Sequence, residues 1–302
     1  MLGFSLYFEK ETDFDKQIEK FKGFDLLFTS LHYPASDETY DKFLDLLDVA
    51  KDIKICVDIN NQTLKDHPDL LDKNLIMRLD FGFSPREIAS LSKKCQIAIN
   101  ASTVNYKFLE DLAKAGANMT NMIAIHNYYP LVFSGLSQEY FLSQNELINS
   151  FGIRVASFIQ GNTKLRGPVF EGLPTLEDDR YINPYLALVK HKRKYKIDEI
   201  ILAEDVDHYS KNCIVKFIND GIICLPIIWE NDYEYLSKIK VRNDISDYII
   251  RNEREKKDVS PDQPRQIKRG DLVILNNLSG RYAGEIEIVR KDLGICEDRN
   301  LI

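Results

Sequence analysis

Eight short apolar runs, each followed by a helically patterned stretch, constrain this chain more than any other feature. They are Phe4 to Phe8, Leu26 to Ser30, Ile53 to Ile59, Leu75 to Leu79, Gln96 to Asn100, Met122 to His126, Arg154 to Ile159 and Glu199 to Ala203. Each is too short for a buried helix and none alternates clearly, the pattern of strands covered on both faces. Helix starts fall between them: Ser84-Pro85-Arg86-Glu87 reads as an N-cap, a first-position proline and a capping-box glutamate, and Asn183-Pro184 repeats the cap-plus-proline device. Apolar stripes such as Phe43, Leu46, Leu47 and Ala50, or Phe108, Leu109, Leu112 and Ala115, give each helix one face for a sheet. Eight βα units predict a (β/α)8 TIM barrel that closes near residue 220.

The 302 residues suit such a barrel, of roughly 250 residues in its usual form, plus a small appendage. We place the barrel at 1–222 and a small β domain with its linker at 223–302. In the latter, Ile222 to Trp229 reads as one more strand-like run and Arg251 to Arg269, with Pro261 and Pro264, as a linker or long loop. Asp271 to Leu275 and Tyr282 to Val289 read as two strands joined by a turn at Asn276 to Gly280. Two strands and a third are marginal as an independent sheet, so the domain reads as incomplete.

A net charge of −7 leaves no electrostatic footprint for nucleic acid or an anionic membrane, so an anionic ligand must be held by a few placed groups. The five cysteines are scattered and never spaced C-x-x-C, which argues against a disulfide framework or a cysteine zinc site. The first residues lack a basic n-region and no apolar run nears the roughly 18 residues of a membrane span, so we expect a cytoplasmic protein.

Barrel enzymes place their chemistry at the C-terminal ends of the strands. The polar residues there are Glu9; Ser30 and His32; Asp58 and Asn60; Asp80; Asn100, Ser102 and Thr103; His126 and Asn127; Gln160; and Glu204 and Asp205. A mouth ringed with carboxylates costs like-charge repulsion unless a ligand or partner uses them, which points to acid/base chemistry on a polar substrate. Asp58 and Asp80 have a structural alternative, as ion-pair partners of Arg78 or Arg154, and His126 as a hydrogen-bonded core histidine. The long segment Gly161 to Arg180 carries Gly167, Pro168, Gly172 and Pro174, a fixed irregular path of the kind that is usually functional. It holds Glu171, and Arg166 beside Gly167, where backbone and guanidinium can share one anion; Arg180 stands at its end. Thr175-Leu176-Glu177-Asp178 fits a capping box. The five histidines form no H-x-x-x-H pair; we expect no metal and no cofactor.

These residues fall in ordered motifs: Phe4-Ser5-Leu6-Tyr7 with Glu9, Arg78-Leu79-Asp80-Phe81-Gly82-Phe83-Ser84, Asn100-Ala101-Ser102-Thr103, His126-Asn127-Tyr128-Tyr129-Pro130, Gly135-Leu136-Ser137, and Arg166-Gly167-Pro168 through Glu171-Gly172-Leu173-Pro174-Thr175-Leu176-Glu177 to Arg180. Arg269-Gly270-Asp271 and Gly280 to Glu285 extend the series into the tail. Together they resemble the 6-phospho-N-acetylmuramidase family of bacterial glycosidases. The resemblance implies a TIM barrel followed by a cyclophilin-like β domain, here shorter than in the family, and cytoplasmic hydrolysis of the disaccharide of N-acetylmuramic acid 6-phosphate and N-acetylglucosamine in peptidoglycan recycling. Two positions depart: Leu131 stands where the family usually has arginine, and Phe158-Ile159-Gln160 where it often has Phe-Val-Pro. An altered ligand or a weakened enzyme follows from either.

Glycoside cleavage needs two carboxyl groups. The expected pair is Asp80 and Glu171, with Glu9 and Asp205 as substitutes. Asp58, Asn100, His126 and Asn127 are expected to bind the sugar by hydrogen bonds, Tyr128 or Tyr129 to stack on it, and Arg166 with Arg180 to hold the 6-phosphate. The expected partner is thus a phosphorylated amino-sugar disaccharide, with a homodimer left open. The competing readings are a sugar-phosphate lyase or aldolase, which a strand-end lysine would favour and none is present, and a non-catalytic sugar-phosphate-binding protein.

Overall fold

The computed structural model describes residues 1–8, 13–32, 37–228, 238–253 and 256–302. Eight parallel strands close into a barrel in sequence order: β1 (Leu2–Ser5), β2 (Leu26–Ser30), β3 (Lys54–Ile59), β4 (Leu75–Leu79), β5 (Gln96–Asn100), β6 (Met122–Ile125), β7 (Arg154–Ile159) and β8 (Glu199–Leu202), with β1 pairing β8. The helices between them are α1 (Phe14–Lys20), α2 (Asp37–Val49), α3 (Asn61–Asp66), α4 (Pro85–Leu91), α5 (Tyr106–Lys114), α6 (Gln138–Ser150) and α7 (Pro184–Arg193), and α8 (His208–Asp220) follows β8. Local chemistry starts them. Ser84 and Glu87 form the reciprocal capping box of α4, and Asn183 caps α7 ahead of Pro184. The barrel belongs to the compact unit Met1–Cys224.

Strand parity divides the apolar residues into two layers. Phe28, Cys56, Ile76, Ala98, Ile125, Ala156, Phe158 and Ile201 fill the barrel interior, while Leu27, Val57, Met77, Ile99, Ala124 and Val155 pack with the helices in the outer layer. Both layers exclude water, which explains the continuous apolar runs. β1 lies two residues earlier than expected because Leu6 and Phe8, past its end, bury in the outer layer. Glu9, expected at the end of that strand, lies outside the described residues.

Leu225–Ile302 forms the second unit. Its four-stranded antiparallel sheet runs β14 (Arg299–Leu301), β11 (Leu272–Leu275), β12 (Ile286–Val289), β9 (Ile249–Arg251), beside a β10 (Arg265–Ile267) and β13 (Gly294–Cys296) ladder. The hairpin β11–β12 is the one expected from the pattern. The other strands have only three residues each, too short to show a period; two of them, β9 and β10, lie at the borders of the segment read as linker. Residues 221–228, read as a strand-like run, carry no regular structure, and Trp229 lies outside the described residues. Among the described residues, no helix is long and apolar enough to cross a membrane.

Candidate active site

A cavity of about 200 Å³ opens at the C-terminal ends of the strands, lined by Tyr7, Phe28, Ser30, Asp58, Arg78, Asp80, Asn127, Tyr128 and Phe158. A wider hollow of about 470 Å³ lies where β3 and β4 begin, lined by 50–55 and 73–75 among others. That end of a barrel serves stability, so the smaller cavity is the candidate site.

Parity puts the polar groups there: Asp58 continues Cys56, and Arg78 and Asp80 continue Ile76, all in interior phase. Arg78, 5% exposed, donates to Asp58 Oδ1 (2.5 Å) and Asn127 Oδ1 (2.7 Å), and lies 3.6 Å from Asp80 Oδ1. His32 Nε2 faces both carboxylates, 3.4 Å from Asp80 and 3.6 Å from Asp58. The two aspartates therefore differ in character. The bond to His32, with Arg78 nearby, holds the Asp80 carboxyl below the usual range, whereas burial pushes Asp58 up against the pull of Arg78. Asp80 in turn raises the His32 imidazole above 6.5.

His32, Asp58 and Asp80 bring three ligand atoms within 4.8 Å of one another, the spacing of a metal site. The Arg78 guanidinium already sits against both carboxylates, so a divalent cation would bind beside a fixed positive charge. The arrangement fits an ion-pair network better than a cation site.

The loop after β7 completes the mouth. Glu204, 4% exposed, accepts the backbone N–H groups of Arg166 (2.8 Å), Gly161 (3.2 Å) and Leu173 (3.2 Å), which pins the loop to β8. Gly161 has to be glycine, since a Cβ there would lie 2.2 Å from the Asp205 carbonyl. So anchored, Arg166 lays its guanidinium on the Tyr7 ring (3.8 Å to the centroid) and near Tyr128 (5.3 Å), whose hydroxyls are 2.9 Å apart.

The structure thus gathers Asp58, Asp80, Asn127, Tyr128 and Arg166 at one place, and among the described residues it puts the other expected ones elsewhere. Asp205 pairs with Lys20 (2.5 Å). Glu171 accepts from the Tyr181 hydroxyl (2.6 Å) on the rim and does not line the cavity. Asn100 turns its side chain to the Ser102 N–H (3.0 Å). Arg180 is buried and spends its guanidinium on Glu177 and on the carbonyls of Tyr129, Leu131, Glu171 and Gly172, so it staples loops. The capping box expected at Thr175 is absent: its hydroxyl donates to the Asn127 carbonyl, and Glu177 binds Arg180 and the N–H groups of Phe133 and Gly135.

His126 is a core residue in the structure, as its parity with the outward-facing Ala124 explains. It is fully buried between Asn145 of α6 (2.8 Å) and Ser102 (3.2 Å), and burial lowers its pKa to about 4. Its neutral form is favoured on folding. Its contribution to stability is therefore complete above 6.5 and declines as pH falls from 6.5 towards about 4, where the unfolded chain binds the proton first. We expect His126→Gln to lower the melting temperature at pH 7 and leave substrate affinity unchanged, and proton-detected titration of the wild type to show a neutral imidazole down to about pH 4. Ser157, His191 and Asp179 form a second buried chain, with contacts of 2.7 and 2.6 Å. All three are fully buried, so they fix α7 and the 177–179 turn and cannot meet a substrate.

Sequence reasoning overlooked Arg78 and Tyr7 as cavity residues. The signal for Arg78 was available: a charged residue inside an apolar run, two positions before Asp80 and in phase with it.

A family model described as 6-phospho-N-acetylmuramidase, N-terminal, matches residues 2–212, and one described as 6-phospho-N-acetylmuramidase, C-terminal, matches residues 228–302. The chain is similar to a crystal structure of a conserved Enterococcus faecalis protein of unknown function, with 29% identity and a TM-score of 0.85 over 100% of this chain and 89% of that one. It is also similar to an uncharacterised B. cereus protein, with 25% identity and a TM-score of 0.77 over 99% and 92% of the two chains. A comparison with curated proteins finds no match. With both halves matched, the chain belongs to the 6-phospho-N-acetylmuramidase family.

Proposed function

We propose that the barrel mouth hydrolyses the β-1,4 bond between N-acetylmuramic acid 6-phosphate and N-acetylglucosamine, in the cytoplasm, as a step of cell-wall recycling. The observation that carries this reading is the pairing, at one small mouth, of an anionic carboxylate and an arginine laid across aromatic rings. Asp80 supplies the charge beside the developing oxocarbenium, and Asp58, Arg78 and His32 hold it in place. Glu171, on the rim, is the partner carboxyl that protonates the leaving oxygen, with Glu9 as the substitute. Asn127 and the Tyr7–Tyr128 pair address the sugar, and Arg166 takes the phosphate.

The test is to incubate the protein with phosphorylated and unphosphorylated muramyl disaccharides and measure free N-acetylglucosamine. Release from the phosphorylated substrate alone supports the proposal, and no release from either overturns it. Arg166→Met is expected to lower kcat/KM for the phosphorylated disaccharide by about 10- to 100-fold, the worth of one charge-assisted contact, and to leave the unphosphorylated one nearly unchanged. The exposed Leu131, at the position where the resemblance implies an arginine, favours one other reading, a sugar-phosphate-binding protein. Saturable binding without hydrolysis would select it.

A further inference from the structure

Among the described residues, four that are not glycine have a left-handed backbone, and three of these are aromatic and exposed: Phe133 (φ 68°, 91% exposed), Phe170 (φ 60°, 63%) and Tyr181 (φ 68°, 67%). A bulky residue in this region is strained, and an aromatic ring in water gains nothing from burial. Such a combination persists only where the surrounding structure enforces it. Here the enforcing group is the Glu177–Arg180 pair. Glu177 Oε1 accepts the Phe133 N–H (2.8 Å) and Arg180 Nε (2.7 Å), and Arg180 Nη1 donates to the carbonyl of Glu171, the residue after Phe170 (3.2 Å). Tyr181 directly follows Arg180. All three rings are thus presented within two residues of groups bonded to one ion pair. Gly135 lets Glu177 approach, since a Cβ there would lie 2.6 Å from its carboxylate.

We propose that these rings form a stacking platform for the pyranose on the leaving side of the scissile bond, an amino-sugar ring. This rests on the glycosidase reading for the class of the ring. Two further observations select a sugar. First, the cavity of about 200 Å³ is below the roughly 300–1,000 Å³ of pockets that enclose a drug-sized ligand, so it seats one ring and the second lies outside it. Second, the loops carrying Phe133 and Phe170 are continuous with Asn127, Tyr128 and Arg166 at the mouth, and beside the rings the Glu171 carboxylate and Tyr181 hydroxyl (2.6 Å apart) offer partners to sugar hydroxyls. The aromatic faces meet the axial C–H face of the pyranose, and the polar pair meets its edge.

Phe133→Gly and Phe170→Gly are the informative variants, because glycine adopts the same φ without strain and the fold is retained. Each is expected to raise KM for the phosphorylated disaccharide about tenfold with kcat within twofold. Neither should change the kinetics of the glycosyl fluoride of the same phosphorylated sugar, whose leaving group has no ring. Saturation-transfer NMR with N-acetylglucosamine and its β-1,4 dimer reads the platform without turnover: the wild type should show contact with both, and the variants a loss. If no substrate is hydrolysed and the NMR contact still depends on the rings, the glycosidase reading fails and the platform stands. If the disaccharide is hydrolysed with unchanged KM in both variants, or if disaccharide and fluoride weaken alike, the platform is overturned. Ring-dependent self-association in sedimentation, without sugar contact, would assign the surface to a second copy of the chain and overturn it as well.

Discussion

On the proposed function, Asp80→Asn is expected to lower turnover of the phosphorylated disaccharide by about 10²-fold or more while the protein melts within a few degrees of wild type, because the change removes charge and keeps shape. The Asp80 side chain is 29% exposed, lines the cavity, and is held by His32 and Arg78 without being consumed by either. Asn retains the hydrogen-bonding shape and loses the anion that a positive transition state needs. Steady-state kinetics beside thermal unfolding separate the two effects; an Asp80→Asn enzyme with wild-type kcat would remove Asp80 from the chemistry. Asp58→Asn is not an equivalent probe, since it leaves the buried Arg78 guanidinium without its 2.5 Å carboxylate counter-charge and is expected to cost about 3–5 kcal/mol of stability. The same contacts set the pH dependence. The Asp80 carboxylate survives to pH values below 3.8, and the His32 cation beside it persists above 6.5, so the fall in kcat/KM that follows loss of the His32 proton should come at a pH above 6.5.

Arg180→Met is expected to destabilise the protein by about 3 kcal/mol, because a buried guanidinium that donates to several loop carbonyls and to the partly exposed Glu177 is lost. Its side chain is 2% exposed, and its loss takes the guanidinium from four loop carbonyls and leaves Glu177 with only the N–H groups of Phe133 and Gly135. Arg180→Lys does not rescue it, because one ammonium cannot reproduce the planar fork. The pair also gives an acid-side signature. Arg180 and two backbone N–H groups hold Glu177 at about 2, against 4.5 when unperturbed. Its stabilising contribution is therefore complete above about 4.5 and is lost as pH falls from there through about 2. Thermal unfolding of wild type and Glu177→Gln should differ at pH 7 and converge near pH 2; a constant difference across that range would contradict this account.

The barrel was legible because its physics is local and repetitive. Strands buried on both faces must read as short apolar runs, and helices laid on them must start with caps, as Ser84 and Asn183 do. The second unit was less legible, since strands such as Gly294–Cys296 are too short to carry a period.

Within the site the division is sharper. Position at a strand end, which can be counted along the chain, nominated Asp58, Asp80, Asn127 and also His126, Asn100 and Asp205. Parity then separates Asn127, continuing the interior Ile125, from His126, continuing the outward Ala124, and that too was readable. What only the tertiary structure decided is which partner each charge meets. Glu204, Glu177, Asp205 and Asp80 are all carboxylates at the mouth, and one takes three backbone N–H groups, one an arginine, one a lysine, and one only the looser contacts of His32 and Arg78. Glu177 and Arg180 are three residues apart, but most of the other pairings reach tens of positions or more along the chain, as Asp80 to His32, Glu204 to Arg166 and Asp205 to Lys20. Charge at a site is set by what lies within a few ångströms in space, and distance along the chain carries no record of it.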